Sequence, residues 1–260
     1  MGDDIPGNEV SWDKVSEQIL ESIGCDVRRD GFAFVSSAQM LDMLPRAALD
    51  GWRDFAATWN DLPRDLFMGD GGRYRRRRYA VLHQDAGALE RKPHQAHYQS
   101  DDHNPLNGGI DRWFEPMTDL AAANPVVTAL LDLCWQLIAS VTGERAISGL
   151  DVKMHQFRIE PSEAGKGQPT PEGIHRDGVD WAAVLLIGRQ NVDRGGTVIQ
   201  DGEGDVIGSG ALTQPLDLLF LDDRRVLHGV DALHRLDPGL PGYRDVLVAT
   251  FQRSQAGPLG

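Results

Sequence analysis

Apolar residues recur at helical spacing in the first half of the chain and at strand spacing in the second. Val15, Ile19 and Ile23 lie four apart, with Ser11 as a cap before them and Gly24 as a stop after them, which predicts an amphipathic helix over 11–24. Asp30-Gly31 then leads into Phe32-Ala-Phe-Val35, a short apolar strand. A second helical stretch over 38–60 places Leu41, Leu44, Ala48, Trp52 and Phe55 on one face. Residues 61–116 are rich in Gly, Arg, His, Asn and Pro, with a strand-like piece at Tyr79–Leu82, and read as connecting segments that can carry binding residues. A helix follows with Asn124 as cap and Pro125 in the first turn. Val127, Leu130, Leu131, Cys134, Leu137, Ile138 and Val141 form its buried stripe, and Gly143 ends it.

From 150 onward the pattern shortens. Val152–Ile159, Trp181–Ile187, Gly196–Gln200, Leu216–Leu221, Val226–Val230 and Arg244–Phe251 read as strands separated by Gly- and Pro-rich turns. An α-rich half followed by a β-rich half predicts helices on one face of an antiparallel sandwich or barrel. No internal repeat or low-complexity linker divides the chain, so 1–260 is expected to be a single domain.

Composition narrows the function. The 260 residues carry a formal net charge of −13, which disfavours nucleic acid as a partner. The local exception is Arg73-Tyr74-Arg75-Arg76-Arg77-Arg78. It is either an exposed strand edge protected against aggregation or a contributor near the active site. Two cysteines without CxxC spacing, Cys25 and Cys134, argue against a disulfide framework and a zinc-thiolate site. The N-terminus lacks the apolar run of a secretory signal, and no stretch approaches the roughly 18 apolar residues of a membrane span. A cytoplasmic protein without a membrane partner is expected.

Gly173-Ile174-His175-Arg176-Asp177-Gly178 is the focal motif. In an extended segment, residues two apart project to the same side, so His175 and Asp177 can take adjacent positions on one metal. His228 follows 51 residues after Asp177, within a short apolar strand expected to run beside the first. Two imidazoles and a carboxylate on one face of an octahedron leave three positions open. That suits Fe(II) enzymes that bind a co-substrate together with O2, although the same donors also suit Zn(II) or Mn(II). Arg244 comes 16 residues after His228 and opens an apolar strand, where a guanidinium can clamp a carboxylate through two parallel hydrogen bonds. Arg235 and Arg253 are the next candidates for that role. Asn191-Val-Asp-Arg-Gly-Gly-Thr197 reads as a tight turn delivering a strand between the ligand segments.

In this order of motifs the chain resembles the bacterial 2-oxoglutarate/Fe(II)-dependent dioxygenases that hydroxylate free L-amino acids, the L-isoleucine dioxygenase-like group. The resemblance also touches Asp30-Gly-Phe-Ala-Phe-Val35, Gly72-Arg-Tyr-Arg-Arg76 and Asn107-Gly-Gly-Ile-Asp-Arg-Trp-Phe-Glu-Pro116, and so spans most of 30–251. It implies an α+β, mainly β fold: a cupin-like double-stranded β-helix, or jelly roll, flanked by helices. The helices and substrate-covering elements would lie mainly in 11–149 and the catalytic strands in 150–252. It implies that His175, Asp177 and His228 bind Fe(II) and that Arg244 binds 2-oxoglutarate. Gln156 would face the co-substrate cavity, with Arg158 beside it. Arg112, Tyr98, Gln99 and Asn104 would contact the amino acid. The implied reaction consumes O2 and 2-oxoglutarate, releases succinate and CO2, and hydroxylates an unactivated C–H bond.

Rival readings are a cupin-like metal isomerase or hydrolase, which would not need Arg244 as a clamp, and a non-enzymatic small-molecule sensor. His175-Arg176-Asp177 also matches the opening of a protein-kinase catalytic loop, but that loop needs Asn where position 182 is Ala. A small-molecule partner is expected, with a homodimer left open.

Overall fold

A computed structural model of the chain describes residues 14–254 apart from 86–87, 105, 145–146, 148, 163–164 and 194. Its strands are β1 (Phe32–Val35), β2 (Arg75–Asp85), β3 (Ala88–Arg91), β4 (Leu150–Ile159), β5 (Trp181–Gln190), β6 (Thr197–Gln200), β7 (Val206–Gly210), β8 (Leu218–Asp222), β9 (Leu227–Val230) and β10 (Tyr243–Arg253). The helices are α1 (Lys14–Asp30), α2 (Ser37–Met43), α3 (Arg46–Asp50), α4 (Trp52–Ala57), α5 (Asp119–Ala122) and α6 (Pro125–Thr142), with a 3-10 turn at Thr58–Asp61. The larger sheet has seven strands in the order β1-β8-β5-β10-β4-β2-β3, and the smaller has three in the order β7-β6-β9. All named pairings are antiparallel.

Strand alternation gives the large sheet two distinct faces. Val152, Met154, Ala183, Leu185, Leu218, Phe220, Leu247, Ala249 and Phe251 turn to one side and bury against α1, α2 and α6. Ala182, Leu186, Leu219, Leu221 and Val246 turn to the other and meet Ile199, Leu212 and Val226 from the region of the small sheet. Two antiparallel sheets face each other, with helices on the outer side of the larger, as in a jelly roll.

The helices depart from the sequence reading in two places. Gly24 does not stop α1, which continues to Asp30. A Cβ at Gly24 would lie 2.5 Å from Ser140 Oγ, so glycine is there because α1 crosses α6 closely. The expected Ser11 cap falls outside the described residues. The single helix expected over 38–60 is broken into α2, α3 and α4. Pro45 lacks an N–H and forces Leu44 into an extended conformation (φ −81°, ψ 137°), and the chain restarts there.

Helix α6 forms as its sequence predicts. Asn124 Oδ1 accepts from Val126 N at 3.0 Å, and Gly143 closes the helix with φ 70°. By length and composition α6 would be able to cross a membrane, contrary to the expectation that no such stretch exists. Here Val127, Leu130, Leu131, Cys134, Leu137 and Ile138 are buried in the core.

The arginine run is not a bare edge. Arg75 to Arg78 lie in β2 and pair with Ile159 to Gln156 of β4, while Arg64 bridges Arg76 on the other side. Alternation divides the run: Arg75 and Arg77 are buried, whereas Arg76 and Arg78 reach out to Glu160 and to the Pro116 carbonyl.

Candidate active site

A cavity of about 480 Å³ opens between the two sheets. His175 and His228 are brought together by an isolated antiparallel bridge in which each backbone N–H donates to the other's carbonyl, at 3.0 and 2.9 Å. The approach requires glycine at 229, because a Cβ there would stand 3.2 Å from the Ile174 Cα and 3.3 Å from the Gly173 carbonyl oxygen. The strand after the Gly-Gly-Thr turn, β6, does not separate the two ligand segments, which bridge each other directly; it lies on the other side of β9, with Ile199 opposite His228.

The candidate ligand atoms of His175, Asp177 and His228 all lie within 4.8 Å of one another. His175 Nε2 is 3.6 Å from Asp177 Oδ1, and His228 Nε2 is 3.8 Å from Asp177 Oδ2. His175 Nδ1 sits 3.0 Å from the Gly173 carbonyl, so a proton on Nδ1 leaves the Nε2 lone pair facing the other two donors. Two borderline nitrogen donors and one hard carboxylate in this disposition fit a divalent first-row metal. Burial opposes charging of His175, but Asp177 and Glu172 outweigh it and raise the imidazole to about 9. His228 is lowered to about 4 by burial and by His175. Burial pushes the Asp177 carboxyl up, yet the two imidazoles carry it down to about 2. The carboxylate is therefore ionised and ready to ligate.

The loop holding Asp177 is fixed by a residue the sequence reading did not single out. Asp223, 1% exposed, accepts backbone N–H groups from Asp177 (3.0 Å), Gly178 (2.9 Å) and Val179 (3.1 Å). The only hint in the sequence was an acidic pair, Asp222-Asp223, shortly before His228.

Arg244 lines the cavity and is 2% exposed. Its Nε has no hydrogen-bond partner, and it makes no ion pair among the described residues. Burial, reinforced by Arg189, lowers it to about 10. A buried guanidinium without a carboxylate is positioned to receive one from a ligand. Neither Arg235, which donates to the Pro161 carbonyl, nor Arg253, which pairs with Glu144, lines the cavity.

Gln156 and Arg158 do not face the cavity. On β4 it is Asp151, Lys153, His155 and Phe157 that do so. Gln156 points the other way and donates to Thr58 Oγ1 at 2.9 Å, while Arg158 forks onto Asp245 with two 2.7 Å hydrogen bonds. The expectation was wrong by one residue of alternation, which turns every side chain to the opposite face.

The upstream segment does reach the cavity, where Tyr98, Gln99, Asn104 and Arg112 all line it. Gln99 Nε2 donates to the Asp177 carbonyl at 3.0 Å and links this segment to the metal-site loop. Asn104 Nδ2 donates to Gln99 Oε1 at 3.2 Å. Arg112, 2% exposed, donates to His97 Nδ1 at 2.9 Å. His97, His155, Arg75, Arg77, Lys153 and Glu172 complete this part of the wall. Arg75 and Arg77 belong to the arginine run for which a place near the active site was one of two readings, and that reading holds for these two; His97, His155, Lys153 and Glu172 did not stand out in the sequence.

Comparison with known proteins agrees with this geometry. Residues 56–250 match the model of a family described as 2OG-Fe dioxygenase. A bsmA homologue of Methylobium petroleophilum PM1 has a solved structure that is 37% identical and superposes with a TM-score of 0.80, covering 91% of this chain and 95% of its own. The structure of IDO from Bacillus thuringiensis, 18% identical, shares the fold with a TM-score of 0.76 over 91% of this chain and 100% of its own. A 3(1)-hydroxy-L-isoleucine 4-dioxygenase of Pantoea ananatis (strain AJ13355) is 24% identical over 153 residues, or 58% of this chain. The match spans 62% of that relative's length.

Proposed function

Since the chain belongs to the 2OG-Fe dioxygenase family, whose enzymes use Fe(II) and 2-oxoglutarate, we propose that it hydroxylates a C–H bond of a free L-amino acid. His175, Asp177 and His228 hold the iron, and Arg244 holds the distal carboxylate of 2-oxoglutarate. The observation that carries this reading is the meeting in one cavity of a converged His/Asp/His set and a buried arginine lacking a counter-charge. When bound, the iron couples decarboxylation of 2-oxoglutarate to succinate and CO2 with oxygen insertion into the substrate.

The chain's own residues supply position and exclusion. Val184, Leu212, Leu219, Val246 and Val248 line the cavity and keep water from competing at the reacting centre. Arg112 meets the substrate carboxylate, with Gln99, Asn104 and Tyr98 around it. A relative whose name specifies a hydroxylated isoleucine supports an amino-acid substrate. The isomerase and hydrolase readings give Arg244 no carboxylate to bind.

The test is to measure succinate and hydroxylated product side by side across the free amino acids. One or a few should stimulate both in equal amounts, and if none does, the amino-acid reading falls. Arg244→Met should raise the 2-oxoglutarate requirement by a factor corresponding to on the order of 2–5 kcal/mol while Mn(II) still binds. An unchanged requirement would remove Arg244 from this role.

A further inference from the structure

Around β2 and β4 the charges facing the cavity do not balance. Arg75, Arg77, Arg112 and Lys153 all line it. Asp65 lies 2.7 Å from Arg75 Nε and 3.5 Å from Arg77 Nη1, so one buried carboxylate serves two guanidiniums. Arg112 and Lys153 make no ion pair among the described residues. Asp151, the carboxylate on this wall, is engaged by Lys92 at 2.6 Å and His83 at 2.9 Å.

The arginines are anchored on neutral bases. Arg77 Nη2 is 2.6 Å from His155 Nδ1, and Arg112 Nη2 is 2.9 Å from His97 Nδ1. Burial, aided by the surrounding cations, holds both imidazoles far below the usual histidine range, so each accepts and neither carries charge. Such an anchor orients a guanidinium without cancelling its charge. Phe114 stacks beneath both, with its centroid 3.5 Å from Arg77 Cζ and 5.6 Å from Arg112 Cζ, which offsets part of the cost of burying them. The Nε atoms of Arg77 and Arg112 remain buried without partners. One acidic group has a free oxygen: Glu172, with its side chain 10% exposed, lines the cavity with Oε1 3.5 Å from His175 Nε2 and Oε2 unpartnered.

A neutral amino acid would satisfy Glu172 with its ammonium and one arginine with its carboxylate. The second arginine would keep at most a 3.5 Å share of Asp65, and half-buried Lys153 would have no ion pair among the described residues, an imbalance that is costly where water is partly excluded. We propose that the substrate is an acidic amino acid whose two carboxylates are held by Arg77 and Arg112, beside Lys153, and whose ammonium is held by Glu172. This rests on the amino-acid reading above and narrows it.

The experiment compares isosteric pairs that differ in one charge. Binding of L-glutamate against L-glutamine, and of L-aspartate against L-asparagine, is measured by calorimetry on protein loaded with Mn(II) and saturating 2-oxoglutarate. At least one acid should bind about tenfold or more tightly than its amide. That preference should shrink to within about threefold in Arg112→Gln and Arg77→Gln variants whose melting confirms folding. Equal or tighter binding of the amides by the unaltered protein overturns the proposal without reliance on any variant, as does failure of both acids to bind. The two readings separate cleanly. Hydroxylation of neutral amino acids alone would retire the acidic substrate and leave the hydroxylase standing. Arginine-dependent binding of the acids without hydroxylation of any amino acid would leave the acidic subsite and retire the hydroxylase.

Discussion

Asp223 shows how much of a site can depend on a side chain that touches no ligand. Three backbone N–H groups converge on its two oxygens, and together they fix the turn from which Asp177 projects. Burial and the charge of Asp177 push its carboxyl up, against those donors, so the arrangement is held under electrostatic tension. An amide offers one acceptor oxygen instead of two, so Asp223→Asn must abandon at least one N–H. We expect Mn(II) affinity to fall by about tenfold to a hundredfold while the far-ultraviolet circular dichroism stays native. Unchanged affinity would show that the turn holds itself. At this scale the sequence revealed His175, Asp177 and His228, because a two-residue spacing and a distal histidine before glycine are readable. It concealed His97, His155, Glu172 and Asp223, which acquire their roles from where the fold places them: His155 by strand register, Glu172 and Asp223 in turns. Gln156 and His155 are adjacent in Val-Lys-Met-His-Gln-Phe-Arg-Ile, where polar and apolar residues alternate too weakly to say which parity faces inward.

Among the elements, α6 was legible to its ends, because its cap, first-turn proline and closing glycine each act within a few residues. Asn124 carries a measurable share of that. Asn124→Ala should cost about 1 kcal/mol in urea unfolding, while Asn124→Asp, which keeps the acceptor, should cost much less. Equal losses would mean that burial of the side chain, not capping, sets the effect. The stretch from 38 to 60 was misread because apolar spacing persists through Pro45 and Gly51, where the backbone turns. Strand β7 was missed altogether, since Val206-Ile-Gly-Ser-Gly210 offers little apolar alternation and is specified by its partner β6.

For the whole molecule, the jelly roll with flanking helices was readable from the change in periodicity near residue 150 and from the resemblance, whereas the pairing order was not, because it is set by contacts far apart in sequence. The buried cationic wall has a consequence for stability. Burial, then Arg77 and Arg112, hold His97 at about 2 in the folded state, whereas the unfolded chain takes up that proton near pH 6.5. The unfolded state therefore binds more protons below that value, and stability is lost as pH falls through it. Between about pH 6 and 5, His97→Asn should flatten the decline in unfolding free energy by up to about 1.4 kcal/mol per pH unit. Parallel curves would assign the decline elsewhere. The edge strand β1 of the large sheet has a different kind of consequence. Phe32 of β1 is hydrogen-bonded in register with Leu221 of β8, and the Ser37 amide donates to Asp217, 180 residues further on. On a ribosome, chain emerges from the amino end, so β1 is made early and then waits for nearly the whole barrel before its only sheet neighbour exists. A strand made early is thus among the last to be hydrogen-bonded, and in the interval α1 and α2 are what can shield its apolar residues from other nascent chains.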